Sequence, residues 1–275
     1  MGCSSSDGID GTRSFRNKLG KTVVEIETPI DWDAPCTREV QEFPMYAGRL
    51  KEIDWEQIIE MGQDWKDETF PLTQASILDS NIRQESRHSK WEDFTWKRPE
   101  EIYGEGNFVL YENPGPNDIK QGRCGDCYFL ASLSALAEYP ARIKRIFRTQ
   151  EVNAAGCYAV QLYINGEKRV VVVDDYFPYD TATSTWAFSQ PSRTSDRNNE
   201  IWVLIIEKAW AKIFGSYQRI EAGTAGEALY PLTGCPMQQF YHDEITDIDG
   251  FWERVVKADK KKMPMCCCTF SAADL

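Results

Sequence analysis

Histidine is almost missing from this sequence: 275 residues contain two, His88 and His242, and no asparagine follows Asn199. A mechanism that pairs a nucleophile with an imidazole base therefore has two candidates for that base. There is no run of eighteen apolar residues and no apolar signal-peptide core near the start, so a helical membrane span and a secretory leader are not expected. Dense blocks of Lys and Arg are also lacking. The nearest group, Lys257 with Lys260, Lys261 and Lys262, follows an apolar helical pattern and reads as a solvated last turn complementing the helix dipole. With a net charge of −12, nucleic acid is not an expected partner. No internal repeat and no second C-x-x-C are visible, which leaves no paired-motif zinc site.

What is present points to a globular chain. Hydrophobic residues make up 42% and aromatics 12%, with nine Trp, thirteen Phe and twelve Tyr, while 27% are charged, which suits one sizeable core, or one core plus part of a second. Nine cysteines is an odd number and their spacing is irregular, so free thiols in a reducing, cytosolic setting are expected. Adjacent cysteines on a strand point to opposite faces, so Cys266, Cys267 and Cys268 read as packing residues rather than a metal site.

Residues 1–40 are polar and read as a flexible tether, with Thr22–Ile26 as a short β-prone stretch. A short helix capped by Asp54 is expected over Asp54–Trp65. From Gly125 to Tyr139, Phe129, Leu133 and Leu136 form one stripe, and Pro140 is expected to stop that helix. Cys157–Ile164 and Lys168–Val173 are β-type runs around Asn165-Gly166, a strong hairpin signal. The spacing predicts a largely buried helix over Glu200–Phe214, with Asn199 as N-cap and Gly215 as its C-terminal stop. A further helix near Phe251–Lys262 and a β-run from Met265 to Phe270 complete the reading, and a final strand without a partner suggests a chain that stops early.

The chemistry centres on Cys127. It opens the helix that follows Gly122 and Gly125, where unpaired backbone donors and the positive end of the helix dipole stabilise S⁻ over SH. Gln121, six residues upstream, can aim a side-chain N–H at an oxyanion formed on an attacked carbonyl. A cysteine at a helix start can equally be a small buried hydrophobe, and Cys124 with Cys127 also forms a C-x-x-C that could signal dithiol redox chemistry.

The words around Cys127 resemble a known family. Gln121-Gly122-Arg123-Cys124-Gly125-Asp126-Cys127-Tyr128-Phe129-Leu130 is similar to the calpain nucleophile motif. Trp96 to Ile102, Val171 to Asp175, Asn199 to Trp202 with Glu207 to Lys212, Gly215-Ser216-Tyr217 and Leu232-Thr233-Gly234 follow in family order. The resemblance covers about residues 60 to 275. It implies an α+β, papain-like calpain protease core, with a helical nucleophile subdomain nearly complete over 41–234 and a β-rich subdomain only begun over 235–275. It implies a calcium-dependent cysteine endopeptidase acting on protein substrates, with catalytic Cys127 and Gln121 and with Asp118 and Glu200 as calcium ligands. Hard carboxylate oxygens suit that cation. Taken only as residues, Asp118 could instead stabilise a turn, and Glu200 could complement a helix N-terminus.

Departures from the pattern are Tyr128 for Trp, Cys235 for a hinge Gly, and Asn113-Pro114-Gly115-Pro116 in the loop expected to lend backbone carbonyls. His242 follows Cys127 by 115 residues, short of papain-like spacing, and both histidines read as surface or structural, so the triad His and Asn are expected to be missing. Two functions stay open: a truncated copy of a calcium-dependent protease, and an inert, membrane-tethered binding module.

Met1-Gly2-Cys3-Ser4-Ser5-Ser6 fits removal of Met1, myristoylation of Gly2 and palmitoylation of Cys3, although a Ser-rich tail that happens to begin Met-Gly has the same letters. Two acyl chains anchor stably where one binds marginally, which would place the chain on the cytoplasmic face of a membrane. Intact mass of the native protein should show both acyl groups. Gly2→Ala should abolish both and release the chain from membranes, whereas Cys3→Ser should leave weak, reversible binding; an unmodified native N-terminus would contradict the assignment.

Overall fold

The computed structural model describes residues 12–16, 22–26, 50–194, 196 and 198–268. Gly2 and Cys3 lie outside the described residues. The chain divides into two compact units, Met1–Glu39 and Val40–Leu275. In the first, β1 (Thr12–Arg16) and β2 (Thr22–Ile26) form an antiparallel pair, Thr12 opposite Ile26.

The second unit begins with α1 (Trp55–Met61). Asp54 caps it by accepting the Gln57 amide at 3.1 Å, and it ends at left-handed Gly62, short of the expected Trp65. There follow β3 (Thr95–Lys97), α2 (Pro99–Tyr103), β4 (Phe108–Val109), α3 (Cys127–Ala137), α4 (Pro140–Ile146), β5 (Cys157–Ile164), β6 (Glu167–Asp174), β7 (Phe177–Asp180) and β8 (Thr185–Trp186). The chain continues through β9 (Ser192–Arg193), β10 (Asn199–Glu200), α5 (Trp202–Phe214), α6 (Ala225–Thr233) and α7 (Ile248–Lys260). The class is α+β. The strands of this unit form small sheets ordered β4-β10-β9, β3-β7-β8 and β5-β6, and among the described residues only β4 with β10 runs parallel.

The β5–β6 hairpin turns at Asn165 and Gly166, both with positive φ, as its sequence demands. Pro140 does not simply stop α3. It occupies the first position of α4, where its missing N–H costs nothing. Asn199 is not an N-cap either: Asn199 and Glu200 are drawn into β10, and the helix starts two residues later with Ile201 at its cap. Met265–Cys268 form no strand, because none of the described strands pairs with them; Cys266 instead reaches α3, its Sγ on the Ala131 carbonyl. None of the residues of α7 is buried, and its Ile248 and Trp252 face outward.

Helix α5 organises the core. Every residue from Trp202 to Ile213 is buried, so its charged residues need partners inside the protein. Lys208 pairs with Asp174 at the end of β6 and donates to the Tyr176 carbonyl at 2.6 Å. One turn on, Lys212 donates to Asp67 and to the Val172 carbonyl, each at 2.6 Å, and burial pulls its ammonium below the ordinary lysine value despite Asp67. The Asp67 amide closes the circuit on Asp174 at 2.7 Å. Next to it, Asp175 takes the Arg98 guanidinium at 2.7 and 3.2 Å. Gly156, at φ +64, leaves the room this pair needs; a Cβ there would stand 2.4 Å from both Arg98 and Asp175.

Removing one member of a buried pair strands the other charge, at a cost of roughly 3–5 kcal/mol. Asp174→Ala is expected to lose stability on that scale in urea unfolding, and more than Glu167→Ala at the exposed start of the same strand; equal losses would refute the network's role.

Candidate active site

The loop from Gln121 to Asp126 delivers Cys127 to the surface while almost everything behind it is fixed. Gly122 lies so close to the Phe188 carbonyl that a Cβ would stand 1.7 Å from its oxygen, which only glycine permits. The Arg123 amide donates to the Ala187 carbonyl at 3.0 Å, and its guanidinium pairs with Asp180 at 2.5 Å. Cys124 is buried with its Sγ on the Tyr217 carbonyl at 3.5 Å. The Gly125 amide donates to Glu221 Oε1 at 3.1 Å, and its carbonyl accepts from the Ala222 amide at 2.9 Å.

Cys127 is the first residue of α3 and is exposed. Asp126 stands at the N-cap, yet its side chain does not cap; the Phe129 amide donates to the Asp126 carbonyl at 2.9 Å, and the Cys127 and Tyr128 amides are left for an anion brought to the helix end. Gln121 is exposed, and its Nε2 donates to the Cys124 carbonyl at 2.8 Å. A primary amide has two N–H groups, so one remains for a second acceptor while the first fixes the side chain against its own loop. On the far side of Cys127, the Tyr128 ring packs on Gly223 and its hydroxyl accepts from Trp210 Nε1 at 3.1 Å.

The Asp126 side chain turns inward. Among the described residues no amide, hydroxyl or cationic donor of another residue reaches either of its carboxyl oxygens, and the group it meets is the carboxyl of Glu207 on α5. Glu207 also accepts the Ser189 amide and hydroxyl, the latter at 2.8 Å. Two carboxyls make such a contact when one keeps its proton. Burial, reinforced by the Glu221 charge, pushes Asp126 up; burial and then the Asp126 charge push Glu207 well up.

The loop before Gln121 gathers the other two carboxylates. Asp118 closes a single 3₁₀ turn, Pro116–Asp118, and its Oδ2 accepts the Gly115 amide at 2.6 Å. Glu200 on β10 accepts the Glu112 amide at 2.5 Å and the Ser192 hydroxyl at 2.8 Å, and its carboxyl is pushed up first by burial and also by the Asp118 charge. Both thus bind backbone amides of residues 112–118, and neither is ion-paired to a Lys or Arg among the described residues. No group of three or more His, Cys, Asp or Glu side chains assembles there or elsewhere among them. Two hard carboxylates beside an irregular loop rich in backbone carbonyls suit calcium in donor type, with the balance of ligands coming from carbonyls and water.

A sequence profile described as "Calpain family cysteine protease" matches residues 65–274. The chain belongs to the calpain family. It is 35% identical over 178 residues to calpain-type cysteine protease DEK1 of Arabidopsis thaliana, which is 62% of this chain and 8% of that protein. Rat calpain-13 is 36% identical over 176 residues, covering 63% of this chain and 25% of the relative. Human calpain-9 is 30% identical over 236 residues, or 85% and 31%. The matched region is therefore a small part of each of these calpains.

Within this calpain-family chain the dithiol reading of Cys124 and Cys127 falls away. Cys124 is buried with its Sγ turned onto the Tyr217 carbonyl at 3.5 Å while Cys127 is exposed, and both are free thiols; burial and the carboxyls around it hold the Cys124 thiol well above its ordinary range. His88 is buried with both ring nitrogens engaged, on the Glu85 amide and on Glu221, while His242 lies on an exposed turn with its ring against Phe251. Reading the sequence missed Asp126, Glu207, Glu221 and His88 as parts of the site. The available signal was Glu207 inside a helix apolar on every face, which requires a buried partner.

The carboxyl pair gives a pH dependence with a defined sign. A folded value above the unfolded one means that the pair's contribution to stability is complete in acid and is lost as pH rises out of the ordinary carboxylate range. Glu207→Gln places an amide donor against Asp126, so between about pH 5 and about pH 8 the variant should lose less stability in urea titrations than the parent chain. An unchanged pH slope would contradict the shared proton.

Proposed function

We propose that this chain provides the nucleophile and oxyanion donors of a cysteine endopeptidase acting on protein substrates. The observation that carries this reading is the exposed Cys127 at the start of α3 on a loop whose other residues are buried or bonded from behind. In the reaction, Cys127 Sγ adds to the carbonyl carbon of a peptide bond. The developing oxyanion accepts from the free Gln121 N–H and from the Cys127 amide, and the C–N bond then breaks to leave a thioester. The departing amine needs a proton and deacylation needs a base. His88 is committed to Glu221, so the acid–base partner is not assigned to it.

Calcium is the proposed regulator, held by Asp118 and Glu200 with backbone carbonyls of the 112–118 loop. It would offset the like charge of the two carboxylates and tie β10 to the loop that leads into Gln121. Division into a nucleophile subdomain to residue 234 and a second begun at 235, and membrane attachment through Gly2 and Cys3, complete the proposal.

A peptidyl epoxide, whose ring is opened by a thiolate, tests the nucleophile without needing turnover. Cys127 should be labelled in preference to exposed Cys235, Cys267 and Cys268. Calcium should raise the rate, and Asp118→Ala or Glu200→Ala should blunt that rise by about tenfold or more. Indiscriminate labelling of the exposed thiols, or peptide turnover that survives Cys127→Ser, would refute the assignment.

A further inference from the structure

Residues 221–223 straddle the nucleophile. Ala222 adopts φ +61, a region few residues with a Cβ occupy, and in doing so it aims its own amide at the Gly125 carbonyl while Glu221 turns its carboxylate onto the Gly125 amide. A Cβ on Gly125 would stand 3.3 Å from Glu221 Oε1, so the carboxylate lies directly against that backbone. Gly223 then passes beneath the Tyr128 ring. The residues two before and one after Cys127 are therefore both held by this one short segment.

Glu221 is itself oriented from behind. Its Oε2 meets His88 Nε2 at 2.7 Å and the Arg87 guanidinium at 3.3 Å, with its side chain 6% exposed. His88 has no freedom to turn: its Nδ1 accepts the Glu85 amide at 3.1 Å and lies 3.5 Å from Gln218 Nε2, and its ring stands edge-on to Trp91 at 4.8 Å. With Nδ1 occupied as an acceptor, Nε2 carries the proton and donates to Glu221. The path runs from Glu85 through the imidazole and the carboxylate to the Gly125 peptide without a gap, joining segments 133 and 96 residues apart in sequence.

We propose that His88 and Glu221 are positioning residues for Cys127, fixing the Gly125 peptide so that the Cys127 amide and the Gln121 side chain converge on the same oxyanion position. This deepens the reading of Cys127 as the nucleophile and rests on it. Neither residue touches the reacting atoms. Their effect falls on the tetrahedral adduct, whose oxygen must be met by donors, and not on simple alkylation of the sulfur, which makes no such demand.

A peptidyl aldehyde and iodoacetamide separate these two demands. The thiol of Cys127 adds across the aldehyde carbonyl, carrying its proton to the new hydroxyl or leaving an oxyanion, so titrating the aldehyde while following Cys127 alkylation by mass spectrometry yields both the aldehyde affinity and the intrinsic alkylation rate. In Glu221→Ala and His88→Leu the aldehyde affinity should fall by about tenfold or more, with the alkylation rate within about twofold of the parent chain. His88→Gln, which keeps a donor toward Glu221, should recover most of the loss. Ile143→Val, a buried change in α4 with a modest stability cost, should leave aldehyde affinity unchanged and so controls for loosening of the fold. Unchanged aldehyde affinity in Glu221→Ala, or an equal loss in Ile143→Val, overturns the positioning role while leaving the nucleophile in place. Failure of the parent Cys127 to bind the aldehyde at all overturns the nucleophile reading and the positioning role with it.

Discussion

The constraint on which the rest of the structure depends is the burial of charge on α5. A helix with apolar residues on every side can sit at the centre of the core, but Glu207, Lys208 and Lys212 come with it and each must be answered there. Lys208 and Lys212 are answered by Asp174 and Asp67, which fixes the end of β6 and the segment after α1 on one side of the helix. Glu207 is answered by Ser189 and Asp126, which fixes the loop before Cys127 and the segment after β8 on another. The same helix that fills the core thus sets the position of the loop carrying Cys127. A hydrophobic helix of equal volume could supply the packing, but not these directed contacts.

From that frame the site follows by geometry. The Asp at the N-cap of α3 faces inward to Glu207 and leaves the helix amides uncapped, so an attraction for anions persists at the surface where Cys127 stands. Gly122 admits the Phe188 carbonyl, Gly125 admits the Glu221 carboxylate, and Gly223 admits the Tyr128 ring; in each case a missing side chain allows a close approach next to the loop that carries Cys127. The Asp118–Glu200 pair lies on the other approach to Gln121. There the Asp118 charge adds to burial in pushing the Glu200 carboxyl up, and neither carboxylate is ion-paired to a Lys or Arg among the described residues.

Local signals made some of this legible from sequence. Asn165-Gly166 specified the hairpin because few other residues accept φ > 0 twice in succession, and Asp54 and Gly215 marked helix ends through their own capping chemistry. The place of Cys127 at a helix start was legible because an apolar helical stripe follows Gly122 and Gly125, with Gln121 six residues upstream on the same loop. What escaped was set by distant partners. Asn199 has a good capping side chain, but pairing with β4 and β9 drew it into a strand; α3 does end before Pro140, as expected, but that the same proline begins α4 was not read. His88 was legible as structural, but its contact with Glu221, far along the chain, carries no local pattern. Met265–Cys268 had strand-like residues without a strand beside them.

The central claim is that Cys127 and Gln121 form one acyl-transfer site held from behind by α5 and the 221–223 segment. A crystal structure of the chain with a peptidyl aldehyde added to Cys127 tests it most directly. The account expects a bond from Sγ to the former carbonyl carbon, with its oxygen within about 3 Å of both Gln121 Nε2 and the Cys127 amide and the Gly125–Glu221 contact retained. An adduct whose oxygen points to solvent, with Gln121 turned away, would contradict it.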